Sequence, residues 1–139
     1  MPVEPGAPVV LDTNIVLDLF VFEDDAITPL REAIEQRGLV WLATLAMRQE
    51  LARVLAYAQI ASRMANASLE AGRVLARFDA LARIVGPAAK APITCKDPDD
   101  QPFIDLAVAH GARLLSKDKA VLVMRRRMER LGAQASRHW

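Results

Sequence analysis

Short apolar runs, each closed by a polar turn and followed by a helical stretch, recur along this chain. Few folds accommodate that rhythm. Residues 8–11 (Pro-Val-Val-Leu), 39–43 (Leu-Val-Trp-Leu-Ala) and 113–116 (Arg-Leu-Leu-Ser) predict three strands, and Ile84-Val85 predicts a shorter one between the second and the last. These runs lack the alternation of a strand with one wet face, so both of their faces must be covered. A parallel sheet with helices packed on it meets that demand.

Between the strands the periodicity is helical. Ile15, Val16, Leu19 and Phe20 follow Asp12-Thr-Asn14, a turn with helix-capping chemistry. Thr28-Pro29 opens a second helix to Arg37, with Gly38 as its stop. A third begins at Thr44 and sets Met47, Leu51, Val54, Leu55 and Ala58 on one face. Further helices are expected over residues 66–82, over 100–110 before Gly111, and over 119–131 before Gly132. The order β-α-α-β-α-α-β-α-β-α describes one α/β domain over residues 1–139. Residues 1–7 are expected as an N-terminal extension and residues 133–139 as a polar tail.

Composition narrows the function classes. The 139 residues are 53% hydrophobic and 25% charged, with a net charge of +1. Such a chain has enough apolar surface to fold, and it is not a binder that works by bulk positive charge. Cys95 is the single cysteine, so no internal disulfide forms and a thiolate zinc cluster is excluded. Residues 1–8 carry no Lys or Arg and do not read as a signal peptide, and no run reaches the length of a membrane span. A cytoplasmic protein with no membrane association is expected.

Four acids stand out by position. Asp12 directly follows the first strand, and Asp118 follows the last strand by two residues, after Ser116 and Lys117. Ligand sites of open parallel sheets lie beyond the carboxyl ends of the strands, so both belong to one rim if the two strands are neighbours. Either could simply cap a helix. Asp100 heads the same stripe as Phe103, Ile104 and Ala107, which points a carboxylate toward the core. Glu50 lies at the edge of an apolar helix face, where a plain pairing with Arg53 is the ordinary reading. Were the four to converge, two charges 4 Å apart would repel by about 4 kcal/mol at an effective dielectric of 20. Protons or a metal would then be required, and oxygen-only ligands suit Mg²⁺ or Mn²⁺.

These residues fall in four segments that resemble the PIN-domain nucleases, in particular the bacterial VapC-like toxin components of toxin–antitoxin pairs. Val9-Val-Leu-Asp-Thr-Asn14 resembles the opening strand with the first acid. Arg48-Gln-Glu-Leu-Ala-Arg-Val-Leu55 resembles the helix bearing the second, at Glu50. Cys95-Lys-Asp-Pro-Asp-Asp-Gln-Pro-Phe103 resembles the turn that delivers the third, at Asp100, and His110-Gly-Ala-Arg-Leu-Leu-Ser-Lys-Asp118 the final strand and fourth acid. The resemblance implies a three-layer α/β/α domain with a short central parallel sheet. It also implies Mg²⁺- or Mn²⁺-dependent hydrolysis of RNA, a cognate antitoxin and a homodimer. Asp12 and Asp100 would be central ligands, Asp118 and Glu50 would complete the set, and Thr13, Asn14 and Ser116 would support them by hydrogen bonds. One position departs from the pattern: Ala120 stands where many relatives carry another acid or Asn.

Lys96, Lys117 and Lys119 flank the acids and are candidates for phosphate contacts. Arg125, Arg126, Arg127, Arg130 and Arg137 form a local basic run, read as a solvated helix face ahead of an RNA-facing patch. Trp41 is expected in the core, Cys95 as a structural thiol, and Trp139 as an exposed residue. The apolar surface of residues 66–82 is read as core packing ahead of a dimer or antitoxin groove. Two other functions remain open: a PIN-like module that binds RNA or protein without cutting, which Ala120 favours, and an aspartyl-phosphate phosphatase, against which Asn14 speaks.

Overall fold

A computed structural model describes residues 6–139. Most of the expected N-terminal extension lies outside the described residues, and Ala7 already belongs to the first strand. Five strands form one all-parallel sheet in the order β3-β2-β1-β4-β5: β1 (Ala7–Leu11), β2 (Leu39–Ala43), β3 (Ala82–Ile84), β4 (Arg113–Leu115) and β5 (Gln134–Ser136). With its helices the sheet makes a three-layer α/β/α fold. β1 is central, and Val9 and Val10 are fully buried. Val9 pairs with Trp41 on one side and Arg113 on the other. Chain order reverses between β1 and β4, and that crevice is where such sheets bind ligands.

Eight α-helices are present among the described residues: α1 (Thr13–Leu17), α2 (Thr28–Glu35), α3 (Leu45–Leu55), α4 (Ala58–Asn66), α5 (Ala71–Leu81), α6 (Gln101–His110), α7 (Lys119–Leu122) and α8 (Arg125–Arg130). α1 widens into a π-helical turn over Asp18–Phe22. Trp41 is the hinge of the core, with Phe20 at 5.9 Å and Phe78 edge-on at 4.9 Å. Val74 and Phe78 bury one face of α5, as core packing requires. Among the described residues, no helix is long and apolar enough to cross a membrane.

Several boundaries differ from the sequence expectation. The helix from Thr44 stops at Leu55, and α4 starts afresh after Tyr57. At 100° per residue, an unbroken helix would put Met64 opposite Leu55. Both are buried, Met64 at 4% and Leu55 at 1% exposure, so the chain breaks and turns to bury both. The expected helix over 66–82 accordingly begins only at Ala71, after Ser68 takes a positive φ of 53°. α2 ends at Glu35, and Arg37, not Gly38, adopts the left-handed conformation (φ 59°) while the Gly38 N–H caps Ala33. Thr28 lies inside α2 rather than capping it.

The last helix is two, α7 and α8, joined by a tightened turn in which Met124 N–H reaches Val121 O at 2.9 Å. The expected tail is the edge strand β5. Its Arg113 neighbour lies over the Trp139 ring at 5.0 Å, so Trp139 is half-buried rather than exposed.

Candidate metal and nucleic-acid site

The carboxyl ends of β1 and β4 are stitched together by one hydroxyl. Asp12 N–H donates to Leu115 O at 3.0 Å, continuing the ladder one residue past the strand. Fully buried Ser116 donates from Oγ to Asp12 Oδ2 at 2.7 Å and accepts from Asp118 N–H at 3.0 Å. Asp12 occupies the position before α1 but makes no side-chain cap. Its carboxylate is therefore not used up as a helix cap. Asp118 does cap: its Oδ1 accepts from Ala120 N–H at 2.9 Å, which leaves one oxygen uncommitted.

Asp100 enters from α6. It stands at that helix's N-cap, is 7% exposed, and makes no cap bond. Its Oδ2 is buried without a hydrogen-bond partner among the described residues. Burial pushes its pKa up to about 7, and the adjoining Asp118 carboxyl and the charges of Asp12 and Asp97 push the same way. Burial also raises Asp12, with the Ser116 hydrogen bond opposing and the Asp118 charge adding. Glu50, half-buried on α3, is raised by burial and then by Asp12, with Arg53 opposing. Glu50 and Arg53 make no ion pair among the described residues.

Carboxylate oxygens of Asp97, Asp100 and Asp118 all lie within 4.8 Å of one another. That spacing brings the three within reach of one hard cation, which would draw them closer together as its oxygen ligands. The donor set is oxygen only, its members repel, and one buried oxygen lacks any donor. An all-oxygen donor set is the kind that hard divalent cations prefer, and the repulsion and the unpartnered oxygen are relieved by a cation. Asp12, Glu50, Asp100 and Asp118 share one open cleft of about 500 Å³, with Thr13 and exposed Asn14 on its lining. These four acids thus line one cleft beside the N-terminus of α6, at the switch point of the sheet.

A family model described as PIN domain matches residues 8–120. The chain belongs to the PIN-domain family. PIN domains are typically metal-dependent nucleases, and the acidic cluster lies where the PIN fold brings β1, β4 and α6 together. A comparison with curated proteins finds no match.

Asp97 is the site residue that sequence reasoning passed over. Its Oδ1 accepts from Asp99 N–H at 2.9 Å, and its carbonyl from Asp100 N–H at 3.1 Å. That Asx-type turn folds Asp97 back beside Asp100. The Asp-Pro pair was the signal, since it favours turn initiation and sets residues three apart close together. Behind the turn, Gln101 accepts from Cys95 N–H at 2.6 Å and donates to Ile93 O and Asp105 Oδ1, which holds the loop to α6. Cys95 is buried and donates its thiol to Ala120 O, a structural role.

The three lysines part company. Lys96 and Lys119 are exposed and unpaired among the described residues. Lys117 instead pairs with buried Asp18, beside a separate small pocket that Trp139 also lines. Its ammonium is thereby committed away from the phosphate contacts expected of it. The arginines of α8 are exposed, in keeping with a solvated face.

Proposed function

We propose that this PIN domain is a metal-dependent endoribonuclease and the toxin of a toxin–antitoxin pair. Asp12, Asp100 and Asp118 hold Mg²⁺ or Mn²⁺, Glu50 completes the set, and Asp97 joins it. The observation that carries the nuclease reading is Asp100, a carboxyl buried among other acids with one oxygen unpartnered. A divalent ion bound there supplies charge neutralisation at a phosphodiester and lowers the pKa of water.

The chain's residues hold and orient. Ser116 fixes the Asp12 carboxylate by direct hydrogen bond. The Gln101–Asp105 pair sets the loop that carries Asp97. Glu50, whose pKa is raised by burial and then by Asp12, in its ionised form takes a proton from the attacking water; the water oxygen bonds to phosphorus as the bond from phosphorus to the leaving ribose oxygen breaks, and that oxygen takes its proton from solvent. Exposed Lys96 and Lys119 contact flanking phosphates, and Asn14 and Thr13 support the acid wall.

The toxin role is supported by the resemblance of all four acid-bearing segments to VapC-like toxins. A cognate antitoxin, a homodimer and a cytoplasmic setting follow from that reading. The test is RNA cleavage by the purified protein in Mg²⁺ or Mn²⁺, with and without EDTA, beside Asp12→Asn. Cleavage lost on chelation and in the variant is expected, as is growth arrest on expression of the wild type and not of Asp12→Asn. A folded wild-type protein that binds RNA in EDTA and leaves broad RNA pools intact would replace this reading with a non-catalytic binding module, the alternative that Ala120 favours.

A further inference from the structure

The acid cleft has a second wall of different character. Leu17, Val54, Tyr57, Ala58 and Ile60 line the cleft together with the carboxylates. Tyr57 is 60% exposed and is the only aromatic among the large exposed apolar side chains of the described residues. The other aromatics are accounted for. Phe20, Trp41, Phe78 and Phe103 are buried, Phe22 lies under Arg63 at 5.3 Å, and Trp139 lies under Arg113 at 5.0 Å. Tyr57 alone keeps an open ring face in water, on the rim of a cleft.

Its backbone is held firmly. Tyr57 sits in extended conformation (φ −64°, ψ 139°) at the break between α3 and α4. Its N–H donates to Val54 O at 3.0 Å, and its carbonyl accepts from Ala61 N–H at 2.8 Å. The break that buries Met64 thus presents this ring at a fixed place. An acidic cleft repels a polyanion, so neutral contacts must supply part of the affinity for RNA. A flat aromatic face is the side chain best suited to do so, because every base has a face to stack.

We infer that Tyr57 is a nucleobase-stacking residue, which positions a base of single-stranded RNA next to the bond cut at the acids. This rests on the nuclease reading of the cleft and adds a subsite to it. Tyr57 acts as a positioning residue, through the base and not at phosphorus. Its ring face is what matters, so Tyr57→Phe retains the function and Tyr57→Ala loses it.

The experiment maps the bond cut by wild type in a short oligoribonucleotide, then replaces each flanking nucleotide in turn by an abasic one. Wild type should lose about five- to a hundred-fold in kcat/KM at one abasic position. Tyr57→Ala should show the same loss on the intact substrate and no further loss at that position, and Tyr57→Phe should behave as wild type. Binding of a 2′-O-methyl oligonucleotide, which reads affinity without cleavage, should follow the same pattern. If Tyr57→Ala keeps the wild-type abasic profile, the stacking role is overturned while the nuclease stands. If wild type cuts nothing but binds the 2′-O-methyl RNA through Tyr57, stacking stands and the nuclease reading falls. If it neither cuts nor binds, both are overturned.

Discussion

Asp100 stands at the N-cap of α6 and Asp105 in the middle of that helix, and both are buried, at 7% and 8% exposure. Their surroundings are opposite. Asp105 Oδ1 accepts from Ala91 N–H at 2.9 Å and from Gln101 Nε2 at 2.7 Å. Asp100 has an orphaned Oδ2 and acids for neighbours. Asp18, a third buried acid, has the Lys117 ammonium. A folded chain tolerates a buried carboxylate by giving it donors or a cation. Asp105 and Asp18 received theirs from the chain itself. Asp100 did not, and the difference between the N-cap and the middle of one helix separates an acid that builds the fold from an acid whose charge the fold leaves uncompensated.

The largest expected effect breaks that pair apart. Asp100→Asn should lower metal-dependent cleavage by about a thousandfold, the several kcal/mol that ligation to a metal contributes at a transition state. It should leave the metal-free protein as stable as wild type or more so, because it removes repulsion. Asp105→Ala should do the reverse. It strands the Ala91 N–H and a Gln101 donor, which costs about 1–3 kcal/mol of stability. Cleavage assays beside urea melts of both variants read the two effects. Equal loss of stability in the two would erase the distinction.

Titration sharpens the same contrast. Asp100 binds its proton more tightly folded than unfolded, with a folded pKa of about 7. Its contribution to stability is fully present below the ordinary carboxylate pKa and is lost as pH rises through 7. The metal-free protein should therefore lose about 2 kcal/mol of stability through this group between pH 5 and pH 8. Asp12 and Glu50, also raised, act in the same direction. Asp100→Asn should flatten the slope, and Mn²⁺ should restore the wild-type protein at pH 8. Urea melts across that range, with and without the ion, check it.

How much of this could be read beforehand depends on where the information sits. β1, β2 and β4 were visible because each buries a run of apolar residues. β5 was not, because only Ala135 of its three residues is buried and Gln134 faces water. Asp12 and Asp118 were legible from their place after two strands, since adjacency of β1 and β4 makes them neighbours. Asp97 was hidden because an Asx turn, not a helix or strand period, brings it to Asp100. Lys117 was misread for a related reason. Nearness to Asp118 along the chain says nothing of Asp18, which the π-helical turn after α1 delivers from far away in sequence. The break at Tyr57 carries no glycine or proline, and only the opposite phases of Leu55 and Met64 betray it.

A smaller effect tests whether the acid wall is held by its own hydrogen bonds. Ser116 is the one donor that Asp12 receives from a side chain, and it also anchors the Asp118 backbone. Ser116→Ala should weaken Mn²⁺ binding about 10- to 100-fold, as loss of a ligand-orienting partner does. The fold should survive, since the substitution removes a single oxygen atom from a site that is otherwise packed. Calorimetric titration with Mn²⁺ measures the affinity. Unchanged affinity would remove Asp12 from the group of ligands.

The smallest expected effect comes from adding an acid rather than removing one. Ala120 is half-buried in the first turn of α7; its N–H donates to the capping Asp118 carboxylate and its carbonyl accepts from the Cys95 thiol. Both contacts are made by the backbone, so Ala120→Asp keeps them. The new carboxylate lies two residues from Asp118 and adds repulsion, yet it has solvent to relieve it. Stability without metal should stay within about 0.5 kcal/mol of wild type, on the destabilising side. The rise in Tm produced by Mn²⁺ should be larger in the variant, because an ion that neutralises one more acid binds the folded state more tightly. An identical rise would put position 120 outside the reach of the ion. Asp100 and its neighbours would then be the whole of the charge that the rim leaves uncompensated.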